Sequence, residues 1–294
     1  MKHAILGAGA IGGLMATALD GIGEDATLIV RAEKVASYPH TLTLTTPSGT
    51  LTAPAKIITR LTEPVDVLWV ATKTYQLQEA LSVVEAMPGM VVPLLNGVDH
   101  IPVLRAHFGS ERVVPATIAV GADRTAPGQF VQHSMVRLSV ASSGESLLKD
   151  VMAQLQSRVG FNCQFVASEP TLLWSKLTFL EPLALVTSAS GKNLGEVLGS
   201  PEWKARAESA FREAAAVAAK EGAQIDVEKI LSGLSAWPPT TRASMAKDLA
   251  AGRRLELDGI AGPIVRGGAK YGIPTPTTSG LIAMIEEKVR LRTH

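Results

Sequence analysis

The chain has 294 residues, of which 46% are hydrophobic and 19% are charged, so disorder is excluded as its main state and two folded domains are expected. Lysine and arginine number 28 against 27 for aspartate and glutamate, and a net charge of +1 gives no electrostatic case for nucleic acid or an anionic membrane. The single cysteine, Cys163, excludes a disulfide framework, and the six histidines lack the HExxH spacing, so no metal site is predicted.

Residues 1–19 allow two interpretations. Met1-Lys2-His3 precedes an apolar stretch, as in a secretory signal peptide. Glycines interrupt that stretch and would break the helix that a signal needs, whereas they suit a strand, a turn and a helix. No uninterrupted apolar run reaches the ~18 residues of a membrane span. We therefore expect a cytoplasmic protein without a membrane segment.

The first half of the chain alternates apolar strands with helical patterns, which is typical of a parallel α/β sheet. Predicted strands cover residues 2–6, 26–30, 65–71, 90–95, 112–120 and 161–166. Predicted helices cover residues 11–19 and 77–87. Residues 42–45 and 50–53 form a predicted hairpin, and residues 128–142 are expected to supply antiparallel closing strands.

The second half of the chain changes to helical patterns alone. Helical spacing is found over residues 169–190, 202–221, 227–234 and 253–270, without a strong strand pattern. The sequence therefore predicts an α/β protein with an N-terminal Rossmann-type parallel-sheet domain over residues 1–168. An all-helical C-terminal domain is predicted over residues 169–294.

A glycine-rich motif stands between the first predicted strand and the first predicted helix. Its residues follow the pattern G-x-G-x-x-G and are Gly7, Ala8, Gly9, Ala10, Ile11 and Gly12. The first glycine makes a tight turn, the second lets backbone approach a pyrophosphate, and the third lets helix and strand pack closely. The motif alone is weak, because a glycine-rich chain can produce it by chance. Placed between a strand and a helix N-terminus, it predicts a bound dinucleotide.

The end of the second predicted strand indicates which dinucleotide binds. NAD-binding domains usually place Asp or Glu there to accept the ribose 2′-OH. This chain has Arg31, followed by Lys34, and a guanidinium suits a 2′-phosphate. Glu33 is a carboxylate that lies two residues too late. The sequence therefore favours NADP (NADPH) over NAD, and the alternative is an arginine that is only solvated.

Two polar side chains follow buried strands of the predicted sheet. Lys73 comes after the strand over residues 65–71, and Asn96 comes after the strand over residues 90–95. Ligands of open α/β sheets bind outside the carboxyl ends of strands, so both side chains are expected to face the crevice. A lone lysine or asparagine in a loop is usually only solvated, but two at equivalent positions favour a functional role.

The chain resembles the ketopantoate reductase family, the NADPH-dependent 2-dehydropantoate 2-reductases. Besides the glycine motif, Arg31, Lys73 and Asn96, the resemblance rests on more specific motifs of the helical half. These are Leu173-Trp174-Ser175-Lys176-Leu177, Ser244-Met245 with Asp248, Glu256, and Tyr271-Gly272-Ile273-Pro274-Thr275-Pro276. The resemblance covers both predicted domains. It implies a small-molecule 2-oxo acid substrate, reduced to a 2-hydroxy acid, and a place in pantothenate biosynthesis.

The resemblance places the catalytic lysine of the family at Lys176. A cation at hydrogen-bond distance stabilises the charge that develops on a ketone oxygen during hydride attack, and it can donate the proton. Apolar neighbours such as Leu173 and Leu177 would desolvate this lysine and lower its pKa. The alternative is a surface lysine whose chain lies along apolar neighbours while its charge stays in water.

The resemblance also assigns binding residues. Glu256 corresponds to a glutamate that pairs with substrate hydroxyls, and Ser244 to a residue that contacts the substrate carboxylate. Lys73 and Asn96 correspond to residues near the nicotinamide that hold cofactor, substrate and the catalytic lysine in place. Without the resemblance, Glu256 would be an exposed helix charge and Ser244 an ordinary serine.

The chain departs from the family on the helix of Lys176. The family carries asparagines four and eight residues after the lysine, and here those positions are Leu180 and Ala184, which are expected to face the substrate as apolar groups. An alternative alignment puts Glu181-Pro182 where the family has Asn-Pro, with an insertion after it. Either way most of the polar face is lost, and Pro182 is expected to kink the helix.

Three functions fit the sequence. The first, which we expect, is an NADPH-dependent reductase of ketopantoate or of a 2-oxo acid with a less polar tail. The second is a two-domain hydroxyacid dehydrogenase that works in the oxidative direction. The third is a non-catalytic NADP-binding sensor, against which the presence of Lys176, Glu256 and Ser244 argues. No nucleic acid or membrane partner is expected, and the sequence leaves a homodimer open.

Overall fold

The computed structural model describes residues 1–292 and divides the chain into two units. The N-terminal unit consists of Met1–Leu95 and His100–Leu172, and the C-terminal unit consists of Asn96–Asp99 and the chain from Leu173 onward. The predicted fold class, a Rossmann-type parallel sheet followed by helices, is confirmed. The predicted domain boundary after residue 168 stays a prediction. No helix within residues 1–292 combines the length and apolar content that crossing a membrane would require.

Strands and connecting helices make up the N-terminal unit. Its strands are β1 (Lys2–Leu6), β2 (Asp25–Ile29), β3 (Thr41–Thr46), β4 (Gly49–Pro54), β5 (Ile57–Ile58), β6 (Val67–Val70), β7 (Met90–Pro93), β8 (Ala116–Ala119), β9 (Ala122–Ala126), β10 (Gln129–Gln132), β11 (Arg137–Ala141) and β12 (Asn162–Val166). Its helices are α1 (Ala10–Gly21), α2 (Leu77–Leu81), α3 (His100–Phe108) and α4 (Glu145–Val159). The predicted strands are all present, although several are shorter than predicted.

Five parallel strands form the main sheet in the order β5-β2-β1-β6-β7. The chain order therefore reverses between β1 and β6, which is the switch point where ligands of open α/β sheets bind. β6 and β7 are buried along their whole length, as expected for parallel strands with both faces covered. On β6, the indole N–H of the fully buried Trp69 donates to Nδ1 of His3 at 3.1 Å, which satisfies the polar edge of the ring.

Two smaller sheets complete the N-terminal unit, in the orders β4-β3-β10-β9 and β12-β11-β8. The predicted hairpin is confirmed as the antiparallel pair of β3 and β4. Residues 128–142 supply two strands that enter different sheets. β10 pairs antiparallel with β9 and parallel with β3, whereas β11 pairs antiparallel with β8 and parallel with β12. Apolar alternation indicates extended chain, but long-range packing decides which sheet each strand joins.

The predicted helix over residues 77–87 is wrong beyond Leu81, where α2 ends. Val84 forms a parallel bridge with Leu61 instead. The N–H of Leu61 donates to the carbonyl of Val83 at 2.8 Å, and the N–H of Glu85 donates to the carbonyl of Leu61 at 2.9 Å. A longer helix would need these backbone groups for its own hydrogen bonds. The spacing of apolar residues within residues 77–87 does not reveal that a segment distant in the chain takes these backbone hydrogen bonds.

The described part of the C-terminal unit is helical. Its helices are α5 (Glu169–Ser190), α6 (Leu194–Leu198), α7 (Pro201–Lys220), α8 (Val227–Gly233), α9 (Ser244–Ala250), α10 (Leu257–Tyr271) and α11 (Pro276–Arg292), with the residues of α5 from Leu173 belonging to this unit. α5 has the predicted bounds and continues through Pro182, where the kink stays a prediction. Residues 181–189 of α5 are all buried, so this helix supplies the centre of the unit.

α10 starts later than the sequence predicts. The helix expected from residue 253 begins at Leu257. The N–H of Arg253 still closes the end of α9, where it donates to the carbonyl of Asp248 at 2.9 Å. The chain must leave one helix before it can enter the next, and helical spacing does not show that break.

Candidate active site

The glycine motif covers the turn between β1 and α1 and the first residues of α1, at the carboxyl edge of the main sheet. Gly7 has a φ of +111°, and a Cβ there would lie 2.8 Å from the carbonyl oxygen of Ala71, just past β6. A Cβ on Gly12 would lie 1.8 Å from the carbonyl oxygen of Gly7. Glycine is therefore required at both positions, and it lets β6 and α1 approach the turn closely.

The N-terminus of α1 is open to an anion. Gly9 is its N-cap residue, no side chain caps the helix, and its first turn holds no acidic residue. A Cβ on Gly9 would meet no heavy atom of the described chain within 4 Å. Backbone N–H groups and the positive end of the helix dipole face this space. The loop therefore fits the pyrophosphate of a dinucleotide.

Arg31 lies just past β2 and is the N-cap residue of a short 3₁₀ turn, Ala32–Ser37. Its side chain is exposed, and in the described chain no carboxylate forms an ion pair with it. Glu33 stands in the first turn of the same 3₁₀ segment and does not neutralise the guanidinium. The charge of Arg31 is therefore available to an anionic group of a ligand.

Two side chains that the sequence did not single out contact the glycine loop. The guanidinium of Arg124 on β9 donates to the carbonyl of Ala8 at 3.0 Å, and the hydroxyl of Tyr38 donates to the same carbonyl at 3.3 Å. Arg124 also places an exposed positive charge beside the loop. An arginine on a polar strand is ordinary in sequence, and only the position of the β9-containing sheet brings it here.

Lys73 follows β6 and is the N-cap residue of the 3₁₀ turn Thr74–Gln76. Because β6 is the neighbour of β1, Lys73 follows the strand next to the one that leads into the glycine loop. Its side chain is half-buried. This position, just beyond the carboxyl end of a central strand, is where ligand-binding side chains are expected in an open α/β sheet.

Lys176 lies on α5 between the buried residues Leu173 and Leu177 and is itself half-buried. Burial lowers the pKa of Lys176 to about 8, and the carboxylate of Glu256 acts against this shift. Within residues 1–292 the ammonium forms no hydrogen bond or close ion pair. An ammonium in this environment holds its proton at neutral pH and releases it more easily than an ordinary lysine does.

Glu256 is the N-cap residue of α10 and is only 4% exposed. The amide of Asn96 donates to Oε2 of Glu256 at 3.4 Å. Glu256 is therefore not the exposed helix charge that its local sequence suggests. Lys176, Glu256 and Asn96 come from three distant parts of the chain, and the C-terminal unit brings them together.

The segment that carries Asn96 is fastened to α10. Gly97 has a φ of +79°, and a Cβ there would lie 2.0 Å from the carbonyl oxygen of Gly259. Arg266 pairs with Asp99 and, at 2.7 Å, with Asp258. The close backbone approach and these ion pairs explain why Asn96–Asp99 belongs to the C-terminal unit. The same contacts hold Asn96 next to Glu256, the residue that precedes α10.

Ser244 is the first residue of α9, and its side chain is exposed. In the described chain no hydrogen bond joins Ser244 to Lys176, Glu256 or Asn96. The structure thus brings Lys176, Glu256 and Asn96 together, and within residues 1–292 it shows no hydrogen bond between Ser244 and any of them.

The two departures from the family pattern differ in exposure. Leu180, one turn after Lys176, is half-buried, whereas Ala184 is fully buried and offers no surface to a substrate. The expectation that both face the substrate is therefore wrong for Ala184, because helix packing covers it. Glu181 is also fully buried and lies about 140° around the helix from Lys176. Leu180 is the departure that stays on the side of Lys176.

A Rossmann-type sheet with an open glycine loop, followed by helices that carry a half-buried lysine beside a buried glutamate, fits an oxidoreductase that acts on CH–OH groups, which is the class of the family and relatives that match this chain. The family described as ketopantoate reductase PanE/ApbA matches residues 3–144, and the C-terminal part of that family matches residues 171–289. The chain belongs to the ketopantoate reductase family, as the motifs of its helical half predict.

Relatives and solved structures align over nearly the whole chain. A 2-dehydropantoate 2-reductase of Caulobacter vibrioides is 31% identical over 96% of this chain and 97% of its own. A 2-dehydropantoate 2-reductase of Archaeoglobus fulgidus is 25% identical over 96% of this chain and 95% of its own. The structure of a PanE/ApbA family ketopantoate reductase from Ralstonia eutropha JMP134 is 25% identical, with a TM-score of 0.87 and 100% of both chains covered. The complex of D-mandelate dehydrogenase with NADH is also 25% identical, with a TM-score of 0.83 and 99% of both chains covered.

Proposed function

We propose that the protein is an NADPH-dependent 2-oxo acid reductase with Lys176 as its general acid. The observation that carries the proposal is the half-buried Lys176, whose pKa is lowered to about 8, beside the buried Glu256. Two further observations support a nicotinamide dinucleotide. The glycine loop and its open helix N-terminus suit the pyrophosphate, and the related D-mandelate dehydrogenase structure contains NADH.

Lys176 controls the proton of the proposed reaction. A bound reduced nicotinamide dinucleotide supplies the hydride for the carbonyl carbon of the substrate. The ammonium of Lys176 donates a hydrogen bond to the carbonyl oxygen, stabilises the negative charge that develops there and transfers a proton from Nζ to give the hydroxyl. Burial favours the neutral amine that is left, while Glu256 keeps the lysine charged before the reaction.

Glu256, Asn96, Ser244 and Lys73 hold the substrate and cofactor in this proposal. The carboxylate of Glu256 accepts a hydrogen bond from a substrate hydroxyl, and the amide of Asn96 fixes the orientation of that carboxylate. The exposed hydroxyl of Ser244 is available to the substrate carboxylate. The resemblance to the family assigns Lys73 and Asn96 to the binding of the nicotinamide.

The preference for NADPH rests on Arg31. Its exposed guanidinium has no carboxylate partner in the described chain, and it follows β2, where an NAD-binding domain would carry an acid. A planar guanidinium can bind a 2′-phosphate through two charge-assisted hydrogen bonds. Lys34 adds a second cation to the same turn.

Two substrates are to be compared first. Ketopantoate is the one that the names of the relatives indicate. A 2-oxo acid with an apolar tail is the second, because Leu180 stands where the family has an asparagine and because D-mandelate dehydrogenase is among the related structures. A pocket without that amide loses one means of selecting the hydroxyl of ketopantoate.

The decisive experiment measures NADPH oxidation over a panel of 2-oxo acids that includes ketopantoate, and NADP reduction with the matching 2-hydroxy acids. Turnover that is lost in Lys176→Ala and kept in Lys220→Ala, an exposed lysine at the end of α7, would support the proposal. Tight NADPH binding with no turnover in either direction would favour the sensor hypothesis. Light scattering on the same preparation measures whether the chain forms a homodimer.

A further inference from the structure

The side of α5 that carries Lys176 is flanked by apolar residues. Within Leu173–Ser190, the residues that are not buried are Ser175, Lys176, Phe179, Leu180 and Ser190. At about 100° per residue, Phe179 lies about 60° to one side of Lys176 and Leu180 about 40° to the other. A substrate that meets the ammonium of Lys176 therefore meets an aromatic ring on one flank and a leucine on the other.

Trp237 extends the aromatic flank. Its ring stacks on Phe179, with the ring centroids 4.5 Å apart and the ring planes inclined by 29°. Phe179 also contacts the buried Phe211 of α7, at a centroid distance of 6.2 Å. The three rings connect the interior of the C-terminal unit with the surface near Lys176. Such contacts between rings fix the orientation of Phe179 and of Trp237.

Trp237 stacks on Phe179 although 38% of it is exposed. The backbone N–H of Trp237 donates to the carbonyl of Leu234 at 3.2 Å, and two prolines follow Trp237 in the chain. The N–H of Gly195 donates to the carbonyl of Pro239 at 2.8 Å, which ties the loop to α6. Prolines restrict the backbone of this loop, and the stack on Phe179 holds the ring where part of it faces water. Covering the exposed part of this large apolar ring with a ligand gains hydrophobic free energy.

We propose, on the basis of the reductase function proposed above, that Phe179 and Trp237 bind the substrate tail and that 2-oxo acids with a flat aromatic tail are the preferred substrates. An aromatic tail makes offset or edge-to-face contacts with these rings. The hydroxymethyl group of ketopantoate would lose hydration against the same surface, and Leu180 offers it no hydrogen bond. Phe179 and Trp237 are thus specificity residues, whereas Lys176 performs the chemistry on any 2-oxo acid that enters.

The test compares phenylglyoxylate with cyclohexylglyoxylate, which is of similar size but not flat, and with ketopantoate. We expect kcat/KM for phenylglyoxylate to exceed both others by about tenfold or more, the ratio that a difference of about 1.4 kcal/mol gives. Trp237→Leu and Phe179→Leu should each reduce the phenyl-to-cyclohexyl ratio by about fivefold, and Trp237→Tyr, which keeps a ring, should largely retain it. Trp203→Leu, in a partly buried tryptophan of α7, is the control and should leave the ratio unchanged.

The outcomes separate the two proposals. Reduction of ketopantoate with no preference for phenylglyoxylate would overturn the aromatic specificity and leave the reductase function standing. Failure to reduce every 2-oxo acid tested would overturn the reductase function and the specificity with it. The comparison of substrates on the unmutated enzyme decides the matter even if a leucine variant does not fold.

Discussion

Replacing Glu181 by glutamine is expected to remove a pH dependence from the stability of this protein. Glu181 is fully buried on α5, and neither of its carboxyl oxygens has a hydrogen-bond partner in the described chain. Nearby, Glu213 accepts the N–H groups of Thr277 and Thr278, both at 2.8 Å, at the start of α11. Burial and, after it, repulsion by Glu213 raise the pKa of Glu181 well above its usual value.

The sign follows from where the proton is bound. In the unfolded chain Glu181 loses its proton near its ordinary pKa of 4.5, whereas the folded protein keeps that proton to higher pH. At pH values below the pKa of Glu181 in the unfolded chain, Glu181 is protonated in both the folded and the unfolded protein. Between the unfolded and folded pKa values, the free energy of unfolding falls by about 1.4 kcal/mol per pH unit through this group alone. Glutamine carries no such proton, so Glu181→Gln should lose this slope and gain stability relative to the unmutated protein as pH rises.

Urea unfolding at several pH values from about 5 to 8 measures the effect. Tryptophan fluorescence reports on the relevant unit, because three of the four tryptophans, Trp174, Trp203 and Trp237, lie in it. Glu287→Gln, at an exposed glutamate of α11, is the matched control and should follow the unmutated protein. Parallel curves of unfolding free energy against pH for Glu181→Gln and the unmutated protein would refute the reasoning, because they would show no extra proton at Glu181.

Four further predictions concern the site. Lys176→Ala should lower kcat by about 100-fold or more without weakening NADPH binding, as steady-state rates and a fluorescence titration would show; near-normal turnover would make Lys176 structural. Reductive kcat/KM of the unmutated enzyme should fall as pH rises through about 8, because the acid form of Lys176 is then lost, and a flat pH profile would contradict its role. Arg31→Ala should weaken NADPH binding by about 1.5–3 kcal/mol and leave NADH binding unchanged; calorimetry showing equal affinities of the unmutated protein for both would refute NADP selectivity. Leu180→Asn should shift the ratio of kcat/KM values towards ketopantoate, and an unchanged ratio would mean that another group, such as Glu256, recognises the hydroxyl.

Local patterns were sufficient for the α/β class and for the glycine loop. Strand and helix periodicity depend on neighbouring residues, and Gly7 and Gly12 are required within a motif only six residues long. Because these patterns depend only on neighbouring residues, they also gave the wrong prediction for the end of α2. The backbone partner of Val83 is Leu61, and no spacing within residues 77–87 indicates that pairing.

The sequence by itself determined the family, the dinucleotide loop and the candidate lysine, because short motifs and the helix or strand period encode them. Only the tertiary structure decided that Asn96 meets Glu256, 160 residues away in the chain, and that Ala184 is covered while Leu180 is not. It also decided that Trp237 stacks on Phe179. The physical reason is that burial, pKa and contacts between distant residues depend on how helices pack against one another, and several packings are compatible with the same periodicity.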